Sequence, residues 1–334
     1  MRVQVLLSIG LVIAAAACGR QAPPTLDWPA TQVPPEAGHA PRPEPIAASF
    51  RHVNLDVDDG IVLEIRRLDG SVVSARPGLM PTFDDPTTFV VQIDSGEVAM
   101  SSLSLSNLLN HHVLAYRKAP IKDLEMSMES GQLKGKGTLH KGVDIPFSMV
   151  TDVSLTTDGR IRLHPVSVKV LGVPSSGLMS VLGIDLGGLI TLKGASGVQI
   201  ENDDLLLSPD QVLLSPKIAG RLTAVRIEGD RLVEVFGPPL ALAHLVPADR
   251  SVVRFLSFRG GTLRFGRLTM SDADLDIVSD ETPGDVFDFS LPHYLAQLEA
   301  GYAKTTASGG LIVHMPSYHA PVAPAGRSGS QARK

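Results

Sequence analysis

Residues 143–155, VDIPFSMVTDVSL, alternate for thirteen positions: Val143, Ile145, Phe147, Met149, Val153 and Leu155 share one parity, and Asp144, Ser148, Asp152 and Ser154 the other. Period two marks a strand with one buried face. At ~3.4 Å per residue the segment spans about 44 Å, more than twice the length of an ordinary strand. Such a strand must belong to a large sheet or bend. After the turn Thr157-Asp158-Gly159, Ile161 and Leu163 hold one parity while Val166, Val168 and Val170 hold the opposite one. A phase switch at Pro165 predicts a bulge, because proline cannot donate to the ladder.

The same alternation recurs at Val53, Leu55 and Val57, at Ile61, Leu63 and Ile65, and at Leu124, Met126 and Met128. It returns at Leu263 and Phe265, then at Ala273, Leu275 and Ile277. Short polar turns between runs predict antiparallel meanders over βαβ crossovers. Three segments follow helical spacing instead. Leu105, Leu108, Leu109, His112 and Val113 predict an amphipathic helix over 104–116 with Ser104 as its cap. Leu178, Val181 and Leu182, continuing to Leu186, Leu189 and Ile190, predict a second, interrupted by glycines. Leu291, Tyr294, Leu295, Leu298 and Tyr302 predict a third, with Ser290 as cap and Pro292 in the first turn. The fold class expected is α+β, strand-rich, with a long curved antiparallel sheet wrapping amphipathic helices. No solenoid period is visible, and the similar rhythm of GQLKGKGTL at 131–139 and GTLRFGRLTM at 261–270 is shared strand chemistry.

The first seventeen residues, MRVQVLLSIGLVIAAAA, place one positive charge before an apolar run too short to span a bilayer, the layout of a secretory signal. Ala15-Ala16-Ala17 precedes Cys18, the only cysteine, and A-A-A-C resembles the lipobox of bacterial lipoproteins, although Ala15 stands where that motif usually carries Leu. The resemblance implies lipidation of Cys18 by diacylglycerol and an acyl group, a stable anchor at ~0.8 kcal/mol per buried methylene. Gly19 after the cysteine, by likeness to enterobacterial sorting, implies the outer membrane facing the periplasm. Residues 18–49 are proline-rich and read as an extended tether, and 317–334 as a disordered tail. The domain expected is therefore 50–316, with a split into two lobes near residue 200 as the alternative.

A single cysteine excludes internal disulfides and Cys-rich zinc sites. A formal net charge of −5 without a lysine block excludes nucleic acid as a partner. Gly135-Lys136-Gly137 lacks the third glycine of a dinucleotide loop, His140 standing in its place, so no cofactor is expected. Asn54, Asp56, Asp58, Asp59 and Gly60 are similar to a calcium loop, but the glycine is one position late and Ile65 replaces the closing acid. Asp272, Asp274 and Asp276 alternate on one strand face, about 7 Å apart per step, and read as a solvated face. His111-His112 lacks zinc-helix spacing, with His112 expected at the core edge and His111 exposed. No metal and no catalytic residue is expected, and no G-x-S-x-G elbow is present. Arg254, Arg259, Arg264 and Arg267 flank Phe255, Phe258 and Phe265 around Gly260-Gly261, which predicts a hairpin with charged outer positions. These four arginines are the candidate contacts for acidic lipid headgroups.

From Ser104 to Ile190 the order of features resembles the tubular lipid-binding, or TULIP, superfamily, which includes small phospholipid-binding lipoproteins of bacteria. The residues that carry the likeness are SLSNLLNHHVL, LEMSMESGQLKGKGTL, VDIPFSMVTDVSLTTDGRIRLHPVSVKVLG and LMSVLGIDLGGLI. The resemblance implies a domain that holds a lipid or similar amphiphile in an apolar groove, without catalysis. Its wall residues would be Leu105, Leu108, Leu109, Val113, Phe147, Met149, Leu178, Val181 and Leu182. The rival reading is a scaffold lipoprotein with a packed core that binds an envelope protein through a sheet edge. An envelope hydrolase is the remaining alternative.

Overall fold

The structure, a computed structural model, describes residues 44–58, 60–117, 119, 121–140, 143–170, 197–201, 204–212, 215–238, 245–280 and 286–319. Cys18, residues 19–43 of the expected tether, and the segment holding Leu178, Val181 and Leu182 lie outside the described residues. The described residues all belong to one compact unit. Three long strands open it, β1 (Ile46–Asp58), β2 (Ile61–Ser74) and β3 (Phe89–Ser101), followed by a helix, α1 (Ser102–Leu108). Next come β4 (Ile121–Glu129), β5 (Gln132–His140), β6 (Asp144–Leu155), β7 (Ile161–Val170), β8 (Val198–Glu201), β9 (Asp204–Leu207) and a short helix, α2 (Pro209–Val212). Then follow β10 (Lys217–Gly220), β11 (Leu222–Glu228), β12 (Arg231–Phe236), β13 (Phe255–Gly260), β14 (Leu263–Phe265), β15 (Leu268–Met270) and β16 (Ala273–Ser279). The last elements are β17 (Phe287–Ser290), helix α3 (Tyr294–Ala300), β18 (Tyr302–Thr305) and β19 (Leu311–Met315).

These strands make curled, mainly antiparallel sheets. Among the described residues the larger sheet runs β11-β12-β3-β2-β1-β13-β16-β19-β18, with β10 parallel to the start of β3 and β17 parallel to the end of β1. The smaller runs β4-β5-β6-β7-β9-β8, and β14 pairs with β15 alone. Strands from both sides of residue 200 share each of the two larger sheets. The alternation at 143–155 is β6, and the expected bulge is present: Thr151 pairs with Pro165 and Val150 with Ser167. Val166 is the extra residue, and 47 % of it is exposed.

Helix α1 starts earlier and ends sooner than the apolar spacing predicts. Ser101, not Ser104, caps it, accepting the Ser104 N–H at 3.1 Å. After Leu108 the chain widens into a π turn over Leu109–Val113, closed by the Leu114 N–H on the Leu109 carbonyl at 2.8 Å. The polar residues of this segment tie the two sheets together. Ser104 Oγ accepts the Val62 N–H at 3.2 Å, and Asn107 donates to the Gly60 carbonyl at 2.9 Å, both at the β1–β2 turn. Toward the other sheet, Ser106 Oγ accepts the Met126 N–H at 2.8 Å. Asn110 donates to the Leu124 carbonyl at 2.8 Å and accepts its N–H at 3.0 Å. Side chains four residues apart lie on one helix face. Ser106 and Asn110 therefore act as a neighbouring strand for β4, whose outer edge would otherwise carry unpaired backbone groups.

Several boundaries differ from expectation. β1 begins at Ile46, 1 % exposed, so the folded chain starts before residue 50. The chain stays packed past residue 316: Ser317 is buried and the Tyr318 ring stacks on His293 at 4.8 Å. Helix α3 starts at Tyr294, because Ser290 is held in β17 and donates its hydroxyl to Asp56 at 2.8 Å. Tyr302 lies in strand β18, not on the helix.

Candidate functional site

Leu105 and Leu109 project from α1 and its π turn into the concave face of the six-stranded sheet, and a cavity of about 120 Å³ lies between them. Val113 closes one side. The sheet contributes Met126, Leu133, Met149 and Leu163, and Leu232 of β12 reaches in from the larger sheet. Every side chain of this wall is aliphatic, thioether or proline. Native interiors leave few voids larger than a water molecule, and a void near 150 Å³ with an apolar lining stays dry and takes up a benzene-sized guest. Gly135, opposite Met149 in register, keeps the sheet open here: a Cβ on it would come within 3.3 Å of Met149 and 3.4 Å of the Met126 sulfur.

A second cavity, about 50 Å³, shares Leu105, Leu207 and Leu232 with the first and adds Leu108. Its other walls come from the inner face of the larger sheet, Val98 and Met100 of β3 and Phe236 of β12. A polar depression follows, sharing Pro209, Ile218 and Phe236 and bearing Asp158, Arg160, Asp210 and Arg221. The three hollows form a row from a charged rim to an apolar interior.

Among the described residues, one ionisable group lines the two inner cavities. Glu234 alternates with Leu232 and Phe236 on the inner face of β12 and lines the smaller cavity. Protein atoms surround it, yet part of its side chain stays accessible, because that part faces the cavity. Burial pushes its carboxyl up to about 7. The carboxylates on the outer face of the same strands are paired: Glu228 meets Arg66 at 2.8 Å, and Glu97 meets Arg226 at 3.1 Å. Burial pushes Glu97 up, but hydrogen bonds from Arg66 and Arg226 outweigh it and leave that carboxyl below its usual range.

Of the wall residues expected from the sequence, Leu105, Leu108, Leu109, Val113 and Met149 line these cavities. Phe147 lines neither. Its ring lies over Gly137, its partner in register, where a Cβ would come within 3.2 Å of it, so the aromatic fills the space glycine leaves. The four arginines are not gathered. The expected hairpin at Gly260-Gly261 does not form, because β13 pairs with β1 and β16 while β14 pairs with β15. Arg254 is buried, and Arg259 lies 3.1 Å from Asp274 and 2.7 Å from Asp276. Arg264 and Arg267 are exposed, Arg264 lying 3.8 Å from Asp84.

Of the aspartate triplet, Asp272 is exposed as expected and Asp274 half-buried, but Asp276 is 1 % exposed and accepts from Ser257 Oγ and the Ala248 N–H. Asn54 donates to Asp288 at 2.7 Å, inside a regular strand pairing. His112 meets Asp58 at 3.1 Å and His111 is exposed. Among the described residues, no group of three or more His, Cys, Asp or Glu could hold a metal, and no helix is long and apolar enough to cross a membrane. Compared with known proteins, the chain matches no family model, no curated protein and no solved structure.

Proposed function

We propose that the chain is a membrane-anchored envelope lipoprotein whose domain binds or carries a lipid or similar amphiphile in the cleft between α1 and the six-stranded sheet. The observation that carries this reading is the wholly apolar cavity of about 120 Å³ bounded by Leu105, Leu109, Val113 and Met149. An apolar hollow that water does not fill forfeits dispersion contacts along its lining, and a hydrocarbon chain restores them. A helix riveted inside a curled sheet is also the arrangement that the TULIP likeness implies. The volume favours one acyl chain over two, since drug-sized ligands ordinarily occupy ~300–1,000 Å³. Attachment to the membrane through Cys18 rests on the sequence alone.

The scaffold reading has one observation in its favour. β18 is an edge of the larger sheet and all four of its residues are exposed, which suits a partner that adds a strand. The two readings separate at the cavity. Met149→Trp places a large ring in it, and on the carrier reading it lowers uptake of a fluorescent fatty acid by roughly tenfold or more while the melting transition stays cooperative. Uptake unchanged by Met149→Trp, together with loss of a protein partner on altering β18, would favour the scaffold.

A further inference from the structure

We propose that Glu234 recognises the polar end of the bound molecule, and that this end is cationic: the ligand is a single-chain amphiphile bearing an amine. The inference rests on the cleft reading above and names the ligand class for it.

Glu234 is the one ionisable residue among the described residues that line the two inner cavities. Among the described residues no lysine, arginine or histidine lines them, so a carboxylate or phosphate end placed there would meet only the like charge of Glu234. The charged residues Asp158, Arg160, Asp210 and Arg221 line the outer depression, which shares Pro209, Ile218 and Phe236 with the smaller cavity. Arg160 is already occupied by Asp158 at 2.7 Å and Glu201 at 3.3 Å. A lone carboxyl in an apolar site costs stability and is retained where a ligand uses it. An ammonium supplies several donors and an opposite charge, and a charge-assisted hydrogen bond is roughly twice as strong as a neutral one. With the amine at Glu234, the chain runs past Leu232, the wall shared with the larger cavity, into the hollow beside Met149.

The carboxyl, pushed up to about 7 by burial, supplies a second readout. An ammonium holds it ionised, so amine affinity falls as pH drops below that value, whereas a neutral amphiphile is indifferent to it.

The test titrates the purified full chain by calorimetry with decylamine, decanol and decanoate, each below its micelle concentration. At pH 8 decylamine is expected to bind roughly tenfold or more tighter than decanol, the scale of one charge-assisted hydrogen bond. The preference should shrink at pH 5 and disappear in Glu234→Gln, which keeps the side chain's shape and removes its charge. Equal affinity for amine and alcohol, or an amine preference that survives Glu234→Gln, overturns the inference while leaving the cleft reading intact. Failure of all three amphiphiles to bind overturns both.

Discussion

Ser49 and Ser257 are register partners across β1 and β13, and each donates its hydroxyl at 2.7 Å to a buried aspartate one strand further out, Asp69 and Asp276 respectively. The likeness extends to their neighbours. Arg51 donates to the carbonyls of Phe50 and Leu68 and pairs with Asp69 at 2.8 Å. Arg259 donates to the carbonyls of Phe258 and Leu275 and pairs with Asp276 at 2.7 Å. Phe50 and Phe258 meet edge to face on the opposite side, 5.5 Å between centroids. Two antiparallel strand pairs, each reading Ser-Phe-Arg and then Leu-Asp, thus join antiparallel about a local pseudo-twofold axis. The repeat fixes the register at the centre of the larger sheet, where a one-residue slip would turn both aspartates into the phenylalanine layer.

Arg259→Leu should destabilise the fold by about 3–5 kcal/mol, because it leaves the Asp276 carboxylate buried without its cation. Arg51→Leu should behave alike at Asp69. The arginines lie roughly 14 Å apart along the strands, so the double variant should lose nearly the sum. Denaturant unfolding checks this, and a loss under about 1 kcal/mol for either single change would show that the pairs are not structural.

Asn110→Ala removes the partner of both backbone groups of Leu124. The expected cost is about 1–3 kcal/mol, with faster amide exchange at Leu124 and Met126 than in the rest of the sheet. Uniform exchange would mean that β4 holds without the helix.

Glu234 predicts a pH dependence of stability. Its carboxyl titrates near 4.5 when unfolded and at about 7 when folded, so between these values the folded state keeps a proton that the unfolded state has released. Stability from this group is full below about 4.5, falls as pH rises toward 7, and stays low above it, a difference of about 3 kcal/mol. Glu234→Gln should raise the melting temperature at pH 8 and leave it nearly unchanged at pH 4.5. Parallel melting curves across that range would contradict the placement of Glu234.

Periodicity made β6, the bulge at Pro165 and the Leu105–Val113 wall legible, because each is written in a few consecutive residues. The π turn after Leu108 was not, since Leu105, Leu108, Leu109, His112 and Val113 fit the spacing of an uninterrupted α-helix. Gly260-Gly261 carries the local chemistry of a hairpin, but the partners of β13 lie in β1, some two hundred residues earlier, and β16. Asp276 reads as exposed until Arg259 is brought beside it by pairing. Glu234 was invisible for a related reason. In RLVEVF each parity holds one charge and two apolar residues, so the sequence does not choose which face turns inward.

On the proposed lipid anchoring, Cys18→Ala should release the protein from membranes into the soluble exported fraction with its fold unchanged. Fractionation after a salt wash checks this. Retention in the pellet would move the attachment to a protein surface.

The central claim is tested most directly by weighing what the domain holds. A form beginning ahead of Glu44 keeps Ile46 and its packing, and native mass spectrometry without detergent would read the mass of the purified protein. The expected result is one noncovalently bound single-chain amphiphile per chain, lost or reduced in Met149→Trp. A lipid-free protein that takes up no fluorescent fatty acid or alkylamine, with a melting transition unmoved by either, would contradict it.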